Sequence, residues 1–300
     1  KNRDEERDTL LNSLPIVRGK YRENYAIGPT TWFQVGGPCE VFYRPEDIED
    51  LKQFLRQKST QIPLTVVGMA SNMLIRDGGI PGVTMRLGKG FNHIAFHGDY
   101  LDLGAAVLDS TVAALCMEEG IENLSFLCGI PGAIGGALRM NAGCYGTEIK
   151  DVLDAAFALD SKGVLHTLTP EDMGYSYRHC QIPRDWVFVG ARFKVVRGRK
   201  ESIQENIQNL MAKREESQPV RSRTGGSTFA NPKEISAWEA IDKAGCRGLT
   251  IGGAQMSPLH CNFMINIGGA TANDLETLGE TVRHRVKESS NIDLRWEIER

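Results

Sequence analysis

The sequence predicts an α+β protein of more than one domain. Three observations carry that prediction. The chain has 300 residues, about twice the length of a typical single domain. Its helical and strand-like patterns come in blocks, without the regular alternation of a doubly wound parallel sheet. Its 32 glycines exceed the usual share of roughly 7% and cluster in a few segments. Apolar residues at 41% and charged residues at 24% exclude wholesale disorder. A formal net charge of −3 gives no electrostatic case for binding nucleic acid or an anionic membrane surface.

Residues 1–23 are polar and read as a loosely ordered lead-in. Pro45 opens a helix whose apolar stripe is Ile48, Leu51, Phe54 and Leu55. Residues 64–67 form a short apolar strand that runs into Gly68, and residues 83–87 form another. Asp109 is placed to N-cap a helix carrying Val112, Leu115 and Cys116, with Gly120 as its stop. From residue 152 strands take over: 152–159 and 164–168 flank Ser161-Lys162-Gly163 as a hairpin. Residues 186–196 then alternate, with Val187, Val189, Ala191, Phe193 and Val195 on one face.

A helix over 201–217 carries Ile203, Ile207, Leu210 and Met211 and is stopped by Pro219. A domain boundary is expected at 197–201. Beyond it the pattern reads helix 234–244, strands 249–253 and 262–267, helix 271–288 and strand 292–298. No stretch reaches the roughly 18 apolar residues of a membrane span, and residues 1–7 lead into no signal-peptide core. The seven cysteines are scattered, odd in number and without a Cys-x-x-Cys pair, which points to a reducing cytoplasm and to no metal site. Cys128 and Cys144 lie in glycine-rich segments and are candidates for reactivity; the ordinary reading of a free cysteine is a small buried hydrophobe.

The first glycine loop is Gly68-Met69-Ala70-Ser71-Asn72, directly after a strand. Such a turn points successive backbone N–H groups into one concavity, which suits phosphate oxygens, and Ser71 and Asn72 add side-chain donors. Taken alone it reads first as a plain tight turn. The second loop, GIPGAIGGALRMNAGCYG from Gly129 to Gly146, holds six glycines and three alanines. Glycine at that density lets main chain approach something closely, such as a planar cofactor or a diphosphate. Gly129, Gly132 and Gly135 are spaced G-x-x-G-x-x-G, which is not the Rossmann fingerprint, and no Walker loop is present. A dinucleotide held by two such loops points towards FAD in another architecture.

With Thr31-Trp32-Phe33-Gln34-Val35-Gly36-Gly37-Pro38, these two loops resemble the UDP-N-acetylenolpyruvoylglucosamine reductase family, FAD-dependent enzymes of bacterial peptidoglycan precursor synthesis. The resemblance runs from residue 24 to the end of the chain. It implies a bilobed FAD-binding fold of the p-cresol methylhydroxylase/vanillyl-alcohol oxidase type, with lobes over 24–88 and 89–198, and an α+β substrate-binding domain over 199–300. It implies bound FAD, NADPH as co-substrate and UDP-N-acetylglucosamine enolpyruvate as substrate, in a monomeric cytoplasmic enzyme.

The reaction so implied places a hydride on one vinyl carbon and a proton on the other, through an enolate. It therefore needs a cation for the substrate carboxylate, a proton donor and a preorganised polar pocket. Arg178, in Tyr175-Ser176-Tyr177-Arg178, matches the family's arginine and offers a fork for the carboxylate. Ser227, in Gly225-Gly226-Ser227-Thr228-Phe229-Ala230-Asn231-Pro232, matches the proton donor. Glu297, on the polar face of 292–298, matches the carboxyl that hydrogen-bonds the enol. Read without the family, these three are a surface arginine, a turn serine and a solvated carboxylate.

The resemblance also carries Gly68, Met69, Ala70, Ser71, Asn72, Gly132, Gly135, Gly136, Asn141, Ala142 and Gly146 as cofactor contacts. Tyr145, Asn231 and Gln255 are carried as substrate contacts, and Arg214, with Lys213 beside it, reads equally as a contact to the substrate diphosphate or as a solvated helix end. Three positions depart from the family pattern: Cys180 replaces a hydroxyl, Trp296 replaces a proline, and Ala70 replaces a glycine. The short run from Arg178 to Trp186 resembles the subclass without the tyrosine-bearing lid insertion. Alternatives are an FAD oxidase or dehydrogenase of the same fold acting on another substrate, and a sugar-nucleotide binder without turnover.

Overall fold

The computed structural model describes residues 9–300; the first eight residues, where the expected lead-in begins, lie outside the described part. The rest of that lead-in is built into the fold, contrary to expectation. A 3-10 turn at Leu10–Ser13 brings Leu10 and Leu14 onto the first core. Strand β1 (Lys20–Tyr25) pairs antiparallel with β2 (Cys39–Arg44). Its sequence hid it because an edge strand keeps most of its side chains in water. Asp50 fastens the entry, accepting from the backbone N–H groups of Arg18, Gly19 and Glu46 at 2.8–2.9 Å and from Tyr43 Oη at 3.0 Å.

Helix α1 (Ile48–Gln57) starts where Asp47 accepts from Asp50 N at 2.9 Å, an N-cap that Pro45 anticipates. Its stripe of Leu51, Phe54 and Leu55 is buried. Strand β3 (Leu64–Val67) matches the expected span, and β4 (Ile80–Arg86) starts three residues before the expected one. The sheet order is β1–β2–β4–β3, with β2, β4 and β3 parallel. The Gly68 loop therefore leaves the carboxyl end of a parallel strand, where open sheets bind ligands.

The second lobe opens with the pair β5 (Ile94–His97) and β6 (Tyr100–Gly104). Next come α2 (Asp109–Glu119), α3 (Ile134–Met140), the two-residue strands β7 (Gly143–Cys144) and β8 (Thr147–Glu148), and α4 (Ile149–Val152). The lobe continues through β9 (Leu153–Leu159), β10 (Leu165–Leu168), α5 (Pro170–Met173), β11 (Val187–Lys194) and α6 (Lys200–Ser217). Its antiparallel sheet runs β10–β9–β11–β6–β5. The expected hairpin is present, with Leu159 opposite Leu165.

Two expectations are corrected here. Asp109 is not an N-cap: Leu108 holds that position without a side-chain bond, and Asp109 is the first helical residue, with its carboxyl buried. Helix α6 does not begin the C-terminal unit. Its Ile203 and Ile207 lie in one core with Val112 and Cys116 of α2, so the break in packing falls after Ser217 instead of near 197–201.

The C-terminal unit contains β12 (Thr224–Ser227), α7 (Ala237–Lys243), β13 (Thr250–Ile251), β14 (Ala254–Met256), β15 (Phe263–Asn266) and α8 (Ala272–Ser290). Its sheet order is β12–β15–β14–β13. Thr271 and Asp274 form a capping box at the start of α8. The strand expected over 292–298 does not join a ladder. The segment makes only isolated bridges, Phe229 with Trp296 and, just beyond it, Met73 with Glu299. Phe33, Val35 and Leu74 of the first lobe enter the C-terminal core beside Phe229, Leu275 and Leu278. Asn266 Nδ2 donates to Phe33 O at 2.9 Å, which locks the two units together.

Candidate active site

A cavity of about 140 Å³ is lined by Tyr177, Arg178, Ser227, Phe229, Asn231, Trp238, His260, Asn262 and Glu297. It brings together Arg178, Ser227 and Glu297 from three distant parts of the chain. Arg178 sits in a tight turn in which Ser176 and His179 exchange backbone hydrogen bonds at 3.0 and 3.2 Å. Its φ of +51° is left-handed, a conformation a non-glycine residue keeps only where its surroundings impose it. They do so here. Nε donates to Glu297 Oε1 at 2.9 Å and Nη2 to Gly143 O at 3.0 Å, and the plane lies 4.8 Å from the Tyr177 ring centroid. Nη1 also donates to Asn141 O at 3.5 Å, so all three nitrogens of the fork expected to face a substrate are held by the protein, and two of its five N–H groups are left uncommitted.

Glu297 is carried by the extended tail. Its N–H donates to Thr228 O at 2.8 Å, and its carbonyl accepts from Asn72 Nδ2 at 3.3 Å. Burial pushes the Glu297 carboxyl above its ordinary pKa, and the nearby Arg178 and Arg295 offset part of that rise. The solvated-carboxylate reading is excluded, since only 13% of this side chain is exposed. Ser227 ends β12 opposite Phe263, after a break in register that follows Thr224. Asn262 fixes the loop beyond it, its amide bonding the N–H and C=O of Phe229 at 3.1 and 2.9 Å.

Trp238, His260 and Asn262 were not anticipated from sequence. They are isolated side chains on separate elements, and the sequence offers only His260 and Asn262 just before a buried strand as a hint. Burial holds the His260 imidazole below its ordinary pKa. Its Nδ1 accepts from Asn262 N at 3.3 Å, which leaves Nε2–H as the donor of the neutral ring.

The two glycine loops converge. A Cβ placed on Gly132 would lie 3.1 Å from Ser71 Oγ, and Asn72 Nδ2 lies 3.0 Å from Met140 Sδ. Asn72 therefore directs its amide N–H groups to Met140 and Glu297 and not, as expected, to a phosphate. A Cβ on Gly68, Gly136, Gly146 or Gly226 would meet no atom within 4 Å, so these positions border open space. Ala70 adopts the left-handed φ of +54° that a glycine would take at no cost. Open main chain on two converging loops, with the buried oxygens of Asp109 left without partners beside them, fits a bound FAD.

Several expected contact residues have atoms engaged within the fold. A Cβ placed on Gly135 would lie 3.3 Å from Ala105 Cβ, so this glycine lies close to Ala105. Asn141 is fully buried, with Nδ2 bonded to Glu148 Oε2 and Ser176 O, both at 3.0 Å, and Oδ1 bonded to Lys150 N. Its side-chain amide thereby holds the Arg178 turn. Ala142 lies in the second-lobe core. Gln255 donates to Gly248 O at 3.5 Å and does not line the cavity. Asn231 does line it, with Oδ1 committed to Ala237 N at 2.9 Å. Tyr145 lies outside it, its Oη donating to Leu210 O at 3.4 Å, and Arg214 acts electrostatically on Tyr145, Cys128 and Cys144. Burial raises both thiols, Cys128 to about 11, which argues against reactive thiolates. Cys180, where the family carries a hydroxyl, is buried against Arg139.

Among the described residues no three His, Cys, Asp or Glu side chains gather into a metal site, and no helix is long and apolar enough to cross a membrane. Comparison with known proteins agrees with the geometry. An FAD binding domain model matches residues 39–169, and the model of the UDP-N-acetylenolpyruvoylglucosamine reductase C-terminal domain matches 218–300. The latter begins just after α6, where the packing breaks.

UDP-N-acetylenolpyruvoylglucosamine reductase of Parvibaculum lavamentivorans is 51% identical over 97% of this chain and 94% of that protein. The enzyme of the same name from Rhodospirillum rubrum is 51% identical over 97% and 93%. The crystal structure of UDP-N-acetylenolpyruvylglucosamine reductase from Thermus caldophilus superposes with a TM-score of 0.81 at 32% identity, covering 95% of this chain and 99% of that one. The chain belongs to the UDP-N-acetylenolpyruvoylglucosamine reductase family.

Proposed function

We propose that this chain is an FAD-containing, NADPH-dependent oxidoreductase that reduces the enolpyruvyl ether of UDP-N-acetylglucosamine to the lactyl ether. The product, UDP-N-acetylmuramate, is a precursor of peptidoglycan. The observation that carries the reading is the gathering of Arg178, Ser227 and Glu297 in one cavity beside the open glycine loops. Relatives about 50% identical over nearly the whole chain support it. When bound, FAD supplies hydride from its N5 and is itself reduced by NADPH.

The protein does the rest. The uncommitted N–H groups of Arg178 orient the substrate carboxylate and stabilise negative charge as the enolate forms. Ser227, at the rim of the same cavity, supplies the proton to the carbon next to that carboxylate. In its protonated form, which burial favours, Glu297 donates a hydrogen bond to the enol oxygen. Neutral His260 and the free amide N–H groups of Asn231 add donors towards the polar end of the substrate.

Each half of Arg178's task depends on the other residues. Glu297 and Gly143 O fix the plane, so the remaining N–H pair is preorganised. With only a short turn between Arg178 and β11, and no tyrosine-bearing insertion, the substrate is enclosed by the C-terminal unit itself. We place the enzyme in the cytoplasm as a monomer, where its nucleotide substrates are found. The test is direct. Purified protein loaded with FAD should consume one NADPH per enolpyruvyl ether reduced, and NADPH alone should bleach the flavin. Failure to reoxidise the bleached flavin with UDP-N-acetylglucosamine enolpyruvate, while oxygen reoxidises it rapidly, would favour the oxidase alternative.

A further inference from the structure

Asp109 is the only carboxyl group among the described residues whose two oxygens are both buried without a hydrogen-bond partner. It is 1% exposed. Its position is tightly fixed. Its own N–H donates to Gly132 O at 2.9 Å, and Leu108 bridges Ala133, so the start of α2 is pinned beneath the second glycine loop. Oδ2 lies 4.0 Å from the point where a Cβ on Gly132 would stand, and Ser71 Oγ lies 3.1 Å from that point. Three segments, the 68–72 loop, the 129–146 loop and the first turn of α2, therefore present a hydroxyl, bare main chain and a carboxyl to one place.

A buried polar group without a partner costs free energy that a hydrophobic residue of the same shape would avoid. Thr84, Thr224 and Thr228 also bury a hydroxyl in this way, but none of them lies where both cofactor loops meet. Residues 68–72 and 129–136 contain no titratable group, and Ser110 and Thr111 stand beside Asp109 in the first turn of α2. Burial alone drives its carboxyl well above the ordinary carboxylate range, with no opposing cation. The side chain is therefore a neutral acid with one O–H to donate. An ionised carboxylate in the same place would repel a diphosphate; a neutral one can bond it.

We propose that Asp109 is a cofactor-binding residue, whose neutral carboxylic acid donates a hydrogen bond to a diphosphate oxygen of FAD where the two glycine loops meet. The proposal rests on the FAD reading of those loops. Its test uses the cofactor-stripped full-length chain, with FAD added back and the dissociation constant read from flavin fluorescence. Asp109→Asn keeps a donor of the same shape and should bind within about threefold of wild type, whereas Asp109→Leu, of similar shape but without a donor, should bind about 10- to 100-fold more weakly. The phosphorus NMR signals of bound FAD should move in Asp109→Leu and stay in Asp109→Asn.

A merely structural role makes the opposite prediction for the stripped protein. Removing an unpartnered polar group should raise the melting midpoint of Asp109→Leu even as FAD affinity falls. Wild-type affinity should also fall where rising pH ionises the acid, and Asp109→Asn should be flat over that range. Wild-type affinity in Asp109→Leu would overturn the proposal and leave the cofactor assignment standing. Equal loss in both variants would overturn it too, because the asparagine amide keeps a donor that should rescue binding. No FAD binding by the wild-type chain would remove the cofactor reading with it.

Discussion

Arg178 Nε donates to Glu297 Oε1 at 2.9 Å, joining residues 119 positions apart, and the two side chains are 19% and 13% exposed. Glu148 Oε2, 4.0 Å from Nη1, is a second and weaker anion. The pair does more than neutralise charge. It turns the guanidinium so that Nη2 reaches Gly143 O, and it holds the extended tail over the cavity. A lysine in place of Arg178 has one nitrogen and cannot serve Glu297, Gly143 and a substrate carboxylate together. Arg178→Lys should therefore reduce turnover by about 10²- to 10³-fold, the usual cost of losing a preorganised donor. Stopped-flow traces should show normal flavin bleaching by NADPH and slow reoxidation by the enolpyruvyl substrate.

Glu297 makes a prediction of opposite sign for stability. Its carboxyl is raised in the folded chain, with burial the larger cause and Arg178 opposing it. The unfolded chain releases this proton first, from about pH 4.3. As pH rises from there through the folded value, stability is lost. Glu297→Gln removes that titration while its amide oxygen still accepts from Arg178. Urea midpoints at pH 7 should lie within about 1 kcal/mol of wild type or above it, with the difference closing towards pH 4, while turnover falls. A variant clearly less stable at pH 7 would mean that the ion pair outweighs the burial of its charges.

Ser227 is half-buried at the end of β12 and makes no side-chain bond that the fold requires. Ser227→Ala should therefore leave the melting midpoint almost unchanged, within about 0.5 kcal/mol. Reoxidation of the bleached flavin by substrate should slow by about 10²- to 10⁴-fold, the range for loss of a positioned proton donor. Fast reoxidation would take the proton-donor role away from Ser227.

Local pattern was readable wherever one element decides its own structure. Leu64–Val67 and the stripe of α1 follow from apolar spacing, and the 68–72 loop follows from the strand before it. What was not readable depends on partners distant in sequence. Thr224-Gly225-Gly226-Ser227 looks like a turn, yet it pairs with β15 because Gly225 leaves room for Phe33. The tail at 292–298 has strand periodicity, but Thr228 and Asn72 take its N–H and C=O groups before a ladder can form. Asn141 belongs to a motif and points inward all the same, because three backbone and side-chain partners claim its amide. Motif membership singled out Arg178, Ser227 and Glu297; it could not say which neighbours hold them.

The glycines offer the sharpest separation of cofactor space from packing. Gly225 and Gly136 look alike in sequence, but a Cβ on Gly225 would come within 2.3 Å of Phe33, whereas one on Gly136 would meet nothing within 4 Å. Phe33 is fully buried and cannot move aside, so Gly225→Ala should destabilise the cofactor-free chain by about 1–3 kcal/mol. Gly136 lies inside α3, where alanine is the better helix former. Gly136→Ala should stabilise the cofactor-free chain by about 0.5–1 kcal/mol. If the space over Gly136 belongs to FAD, the added methyl should weaken FAD binding at least about tenfold, near 1.4 kcal/mol. Thermal melts of the stripped protein, with FAD titrations of the same samples, measure both effects. A Gly136→Ala protein that is more stable and still binds FAD as tightly as wild type would show that the cofactor lies elsewhere on the loop.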